Sequence, residues 1–477
     1  MRAVKMEEGK LAVGSVSPKL AVFQSIAQLA PLPTLILTVQ EIFGYSNAPA
    51  LSYLIALIIT LFGANTIVQM GRRFPHAGGY YAYVANGISK TTGIYAQFVY
   101  LFYQILNTAG AVIFGAWVLQ TFLETFDIYV RGYFLLPIIL VLILMVPYFG
   151  IKPSAYFYLI TASIEIAVVA LLGVFMLAHP APSSNFMAPF VPSVGISSFA
   201  LSIIYSLFFF TGYGSMLTIA EETKDPKRSI PLAAILGIVG IGILEFFFIY
   251  ASQINWGTGL TSTFASSSVP PTYIASERLF GAAGLLIVGT FMYISLVKGS
   301  VAIQNATSRA LFALSRDGII SKIFSRVHKR YRSPTGAIIV NEIIAALIIS
   351  ATYLTFYFVL NVKSGITEAA AVYIIALLTI GYLIVHVFAN MSVPIYFTRK
   401  ERKSLSIVKH YLFPIISTVA VLYALALSFT GLSGYMLSLP VAVGAFLVAV
   451  LIFVIWLKKK RPEVVIRAGE VIPELSE

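Results

Sequence analysis

Residues Ser25–Val39 read SIAQLAPLPTLILTV, and residues Ser206–Glu222 read SLFFFTGYGSMLTIAEE. Both runs are apolar enough to enter a bilayer, and both carry residues that a helix resists in its middle. Pro31 and Pro33 each remove an N–H donor and clash with the turn before them, so the first run should unwind over Ala30, Pro31, Leu32, Pro33 and Thr34. Gly212 and Gly214 permit backbone angles that other residues avoid, which places a second break over Phe209, Phe210, Thr211, Gly212, Tyr213 and Gly214. A broken helix presents free N–H groups at the start of one half and free C=O groups at the end of the other. The first suit a carboxylate, and the second suit an ammonium or a metal cation. One such break alone is most often a kink in a tilted helix. Two breaks at corresponding places in two halves mark the binding site of a secondary transporter.

The rest of the chain supports two halves. Of 477 residues, 58% are apolar and only 11% are charged, against roughly 25% charged in soluble domains. A cytosolic enzyme and a disordered chain are both excluded, and an all-α integral membrane protein is expected. A bilayer core needs about 20 mostly apolar residues per helix. Twelve segments qualify, at 21–43, 48–70, 91–122, 133–148, 154–178, 196–220, 229–252, 281–313, 335–360, 368–397, 410–430 and 435–457. Their continuous runs differ from the alternation of barrel strands. The breaks fall in the first and the sixth. The chain then divides into an N-terminal segment 1–20, five segments in 21–178, five in 196–397, two in 410–457 and a tail 458–477.

Charge tests the count. With both termini cytoplasmic, 28 of the 32 basic residues fall on the cytoplasmic side and three, Arg131, Arg278 and Lys363, on the other. That split obeys the positive-inside rule, and an error of one helix would scramble it. The net charge of +13 is therefore an orientation signal, and no nucleic-acid partner is expected. The runs Arg399–Lys403 and Lys458–Arg461 suit anionic lipid heads. With no cysteine, thiolate metal sites and disulfides are impossible. No cleavable signal peptide, metal cluster, cofactor motif or phosphate-binding glycine loop is read, so neither an ATP-driven pump nor an enzyme is expected.

Three further stretches carry a family resemblance: RRFPHAGGYYAYV (Arg72–Val84), EETKDPKRSIPLA (Glu221–Ala233) and NATSRALFALSRDGIISKIFSRVHKRYRSPTGAI (Asn305–Ile338). In this order and spacing they resemble the amino acid–polyamine–organocation (APC) transporters, over roughly residues 15–460. The resemblance implies a leucine-transporter-like fold, with segments 1–5 and 6–10 as inverted repeats and two added helices. It implies an amino acid or related amine as substrate, moved by proton symport, exchange or sodium coupling. The family's carboxylate-binding loop falls on Ala30–Thr34 and its amine-binding break on Phe209–Gly214. Many members carry a G-x-G in the first break where this chain has A-P-L-P-T, leaving Thr34 to offer a hydroxyl. Many also carry an acid after the second break, where this chain has Gly214-Ser215.

Ionisable groups inside a membrane are functional candidates by default. Lys298, in segment eight, is the one basic residue outside the orientation pattern, and Glu165 lies mid-segment five. The resemblance places these segments side by side near the first break. Two readings stand. In one, Glu165 and Lys298 form the proton-sensitive coupling site, with Lys298 in place of sodium. In the other they form a permanent ion pair. Glu245 is read as structural, Glu41 as part of an outer vestibule, and His386 as a packing residue or a proton relay. Glu222, Arg228 and Arg309 are candidates for pairs that form when the inner side closes. Phe210 and Tyr213, beside exposed backbone, are candidates to cover a substrate. A polyamine or organic-amine carrier remains the alternative, followed by an ion channel or potassium importer.

Overall fold

The computed structural model describes residues 11–182 and 184–471. Arg2, Lys5 and Lys10, counted above among the basic residues, lie outside them. The described residues are helical throughout, and their one β-type contact is an isolated parallel bridge between Val16 and Thr223. Ten helices are long and apolar enough to cross a membrane, and two apolar helices are shorter. In chain order the spans are Pro18–Tyr45, Pro49–Gly71, Lys90–Glu124, Gly132–Tyr148, Ile151–Ala178, Ile196–Phe208, Pro226–Trp256, Pro271–Arg316, Thr335–Val359, Ile366–Arg399, Val408–Leu427 and Gly434–Lys460. Each overlaps one of the twelve predicted segments, the sixth covering only the first half of 196–220. The short ones are span four and span six.

Local chemistry sets several ends. Ser17 accepts from the Leu20 N–H at 3.4 Å and Pro18 occupies the first helical position, which opens span one. Ser89 accepts from the Thr92 N–H at 3.0 Å and opens span three. The helix Pro271–Arg316 is two helices joined at Gly281, whose φ of 64° is non-helical. One expectation changes. The second half of segment six, Ser215–Glu222, is a 3-10 helix, because the turns through Gly214 deliver the chain in a tighter winding.

Span ten packs on span three, and span seven packs on spans one, two and five. The polarity of the bundle is inverted relative to a soluble domain. Leu142, Ile160, Leu171, Leu347, Val448 and Ile452 are exposed on the outside, whereas Glu165, Glu245, Lys298 and Arg309 are buried inside. An apolar belt of this extent is stable against lipid chains and unstable against water.

Candidate functional site

The first break is built on Ala30, which takes a left-handed conformation (φ 47°, ψ 65°). Proline at the next position disfavours the ordinary helical angles, so Ala30 leaves the helix there. Its own N–H still closes the first half, bonding the Ile26 carbonyl at 3.3 Å. The second half then starts at Pro31. Pro31 and Pro33 have no N–H to offer, which leaves Leu32 as the free donor of that first turn. Leu32 N–H donates to Glu165 Oε1 at 2.8 Å. The same carboxylate accepts from Ser295 Oγ and forms an ion pair with Lys298 Nζ. Ser295 and Lys298 stand one helical turn apart on span eight. Glu165 is 1% exposed and Lys298 is fully buried. An ionised carboxylate at a half-helix N-terminus is favourable, and Lys298 neutralises it. The pair thus fixes spans one, five and eight to each other.

A second carboxylate faces this turn. Glu245 of span seven, fully buried, accepts from Tyr53 OH at 2.5 Å and contacts Thr34 Oγ1 at 3.2 Å. Tyr53 in turn packs on the second break, with ring centroids 5.6 Å from Phe209 and 5.4 Å from Phe210.

The second break runs through Gly212, at φ 98°. A Cβ there would stand 2.6 Å from Gln28 Cγ, and one at Gly214 would stand 2.4 Å from the Tyr80 hydroxyl. Glycine is needed at both places for close approach. Span one is sewn to this break by Ser25 Oγ, donating to the Tyr213 carbonyl at 2.9 Å, and by Ser215 Oγ, donating to the Gln24 carbonyl at 3.0 Å. Beside the break lies a buried aromatic cluster. The Tyr382 and His386 rings of span ten lie tilted with centroids 4.1 Å apart, Tyr213 lies 5.5 Å from His386, and Tyr80 OH meets His386 Nε2 at 3.3 Å. Gln28 Nε2 donates to Tyr103 OH at 3.1 Å and to Gln104 Oε1 at 3.3 Å. Gln28 Oε1 is a buried acceptor with no donor among the described residues. The tyrosine hydroxyls and this amide oxygen place hydrogen-bonding groups beside the second break.

The side of the bundle that carries most basic residues is closed. Arg309 forms a fully buried ion pair with Glu222 and donates to Asn305 Oδ1 at 2.7 Å. Arg316 donates to both oxygens of Glu221, at 2.7 and 2.9 Å, and to His76 Nε2 at 2.9 Å. Burial, and then the Arg316 cation, hold His76 below the ordinary histidine value. Two main-chain bonds complete the closure, Val16 N–H to the Glu222 carbonyl and Lys224 N–H to the Val16 carbonyl, both 2.8 Å. Nearer the surface, Arg73 donates to Glu401 at 2.5 and 2.7 Å and pulls that carboxyl down to about 2.

The residues predicted from sequence are thus partly brought together. Gln24, Ser25 and Gln28, in the half of span one before Ala30, contact the second break, whereas Leu32 and Thr34 of the first break meet Glu165 and Glu245. Glu165 meets Lys298, and Glu222 meets Arg309. Arg228 stands apart from that pair, its side chain 89% exposed and 3.8 Å from Asp225. Glu41 lines a pocket of about 320 Å³ with Gln40 and Tyr45 at the opposite end of span one. Sequence reasoning missed Ser295, Tyr53, Gln24, Ser25 and Gln28. The spacing of Ser295 and Lys298 was the available signal for the first of these.

Residues 21–466 match the sequence pattern described as amino acid permease. The chain belongs to that family. Among similar proteins, the low-affinity putrescine importer PlaP of Escherichia coli (strain K12) is 26% identical over 382 residues, 76% of each chain. The branched-chain amino acid permease BcaP of Bacillus subtilis (strain 168) is 24% identical, over 60% of this chain and 63% of its own. The human cystine/glutamate transporter is 26% identical, over 59% of this chain and 57% of its own. In this permease the family match covers both breaks, the Glu165–Lys298 pair and the closed basic side.

Proposed function

We propose that the permease is a secondary active transporter that moves an amino acid across the cell membrane by alternating access. The observation that carries this is the pair of broken helices, joined inside the bundle through Ser25 and Ser215. The substrate lies between them. Its ammonium meets the carbonyls of Phe209–Gly214 and Gln28 Oε1, and its carboxylate meets the turn that carries Thr34. The two five-helix groups, 21–178 and 196–397, are inverted repeats that move against each other. Both termini are cytoplasmic, so the buried pairs Glu222–Arg309 and Glu221–Arg316 close the inner side. Lys298 supplies the positive charge beside the first break that sodium supplies elsewhere, and a proton is the coupling ion. Obligate exchange is the variant of this mechanism without net proton flow.

One observation favours a second reading, an organic amine as substrate. Glu165 already takes the Leu32 N–H, so the first break has fewer donors for a substrate carboxylate. Two relatives bracket the choice, one named for putrescine and one for branched-chain amino acids. The deciding experiment is thermal unfolding of the purified permease with leucine and with putrescine. A ligand of the folded state at a hundred times its Kd stabilises by about 2.7 kcal/mol. Leucine stabilisation followed by saturable uptake into proteoliposomes supports the amino acid reading. Stabilisation by putrescine alone moves the assignment to an amine. High unitary conductance in planar bilayers would replace the carrier by a channel.

A further inference from the structure

Two buried carboxylates flank the first break, and their hydrogen bonds differ in kind. Glu165 accepts from a backbone N–H, a hydroxyl and an ammonium. All three are donors, which is the environment of an ionised group. Glu245 meets only hydroxyls, and no ion pair among the described residues includes it. The proton count at these hydroxyls is informative. Tyr53 has one proton and directs it at Glu245 Oε2. Thr34 also has one. Its Oγ1 lies 2.7 Å from the Pro31 carbonyl and 3.2 Å from Glu245 Oε1. A carbonyl only accepts, so the shorter contact takes the threonine proton. A proton on Glu245 Oε1, donated to the threonine oxygen, would satisfy the remaining contact. A neutral acid is also what a fully buried site without a counter-ion requires.

We propose that Glu245 takes up and releases the coupling proton, while the adjacent Glu165–Lys298 pair stays charged. This rests on the reading above that transport is proton-coupled, and it moves the proton from that pair to span seven. The geometry links the site to both breaks. Thr34 belongs to the first, and Tyr53 packs on Phe209 and Phe210 of the second. When span one shifts against span seven, Thr34 withdraws and water enters, and the ionised form becomes the stable one. The titratable groups facing Glu245 are Tyr53 from span two and Glu165 from span five. Span one offers the Thr34 hydroxyl, span six offers the rings behind Tyr53, and span eight offers Lys298, which is engaged by Glu165.

The test combines infrared spectroscopy with transport, on the full-length permease in proteoliposomes. The wild-type-minus-Glu245→Gln spectrum should contain a protonated-carboxyl C=O component that is lost as the pH is raised. Glu342, with both carboxyl oxygens buried and unpartnered, contributes a component of its own that the subtraction cancels. Uptake of leucine and putrescine is measured with and without an imposed pH gradient. The ratio of the two rates should fall to about one in Glu245→Gln. Tyr53→Phe removes a donor that favours the ionised form, and should shift the infrared midpoint up by about one pH unit. This second variant keeps the test open if Glu245→Gln does not fold. Absence of the carboxyl component, or undiminished gradient stimulation in Glu245→Gln, overturns the proposal. If the wild type accumulates neither solute under any gradient, the transport reading fails instead, and the infrared component alone decides the state of Glu245.

Discussion

Replacing Lys298 by Met removes the buried ammonium and keeps most of the stem that fills its place. Glu165, 1% exposed, is then left with the Leu32 N–H and the Ser295 hydroxyl as donors. Breaking a buried ion pair from one side costs about 3–5 kcal/mol, because the remaining charge has no counter-ion. Unfolding entropy of about 2.1 cal/mol/K per residue, over 477 residues, amounts to about 1 kcal/mol/K. The midpoint should therefore fall by about 3–5 °C. The double variant Glu165→Gln with Lys298→Met removes both charges, and the glutamine carbonyl can still accept from Leu32. Its midpoint should return to within about 2 °C of wild type, since neutral replacement of a buried pair is often harmless. Thermal unfolding followed by the fluorescence of Trp117, Trp256 and Trp456 reads both numbers. A single variant as stable as wild type, or a double variant less stable than the single, would refute the argument that this pair compensates a buried charge.

Two other outcomes bear on the closed basic side. The chain has no cysteine, so Thr218→Cys, at a position 1% exposed below the second break, is a unique label site. Adding Arg309→Gln strands the fully buried Glu222 and should speed its modification by a water-soluble maleimide at least tenfold; an unchanged rate would remove Arg309 from the gate. His76 is held below its ordinary value of 6.5 in the folded state. The unfolded chain therefore binds the proton first, and the stability His76 contributes is complete above pH 6.5 and declines as pH falls below it. His76→Gln should lack that component of the acid-induced fall in midpoint, and parallel curves for the two proteins would count against it.

The spans were legible because lipid imposes length and charge rules that leave few solutions. The breaks were legible because proline and glycine act on their own backbone, with no need of a partner. Glu165 and Lys298 could be paired for a different reason, scarcity: in a chain with 11% charged residues, an acid and a base deep in two segments stand out. Scarcity says nothing about Ser25, Gln28, Tyr53 or Ser295, since polar neutral residues are frequent in membrane helices and their roles depend on helix rotation. Rotation also decided Arg228. It lies six residues from Glu222 in sequence, yet the left-handed turn at Asp225 and the start of span seven direct it outward. Glu245 was visible, but its hydrogen bonding was not, because that depends on which atoms of Thr34 and Tyr53 are turned toward it.

The Val16 rung sets a limit on how the inner side can be regulated. The side-chain pairs described there all involve a charge, and charges respond to acid, salt and competing ions. The rung consists of two amide hydrogen bonds between Val16, just ahead of span one, and the end of the 3-10 helix Ser215–Glu222. Its donors and acceptors do not titrate, and any residue but proline supplies them. The closure therefore has a responsive layer of side chains over an unresponsive layer of main chain. In the mechanism proposed above, weakening the ion pairs would ease opening of the passage, and the thread of backbone would still return the two broken helices to the same register.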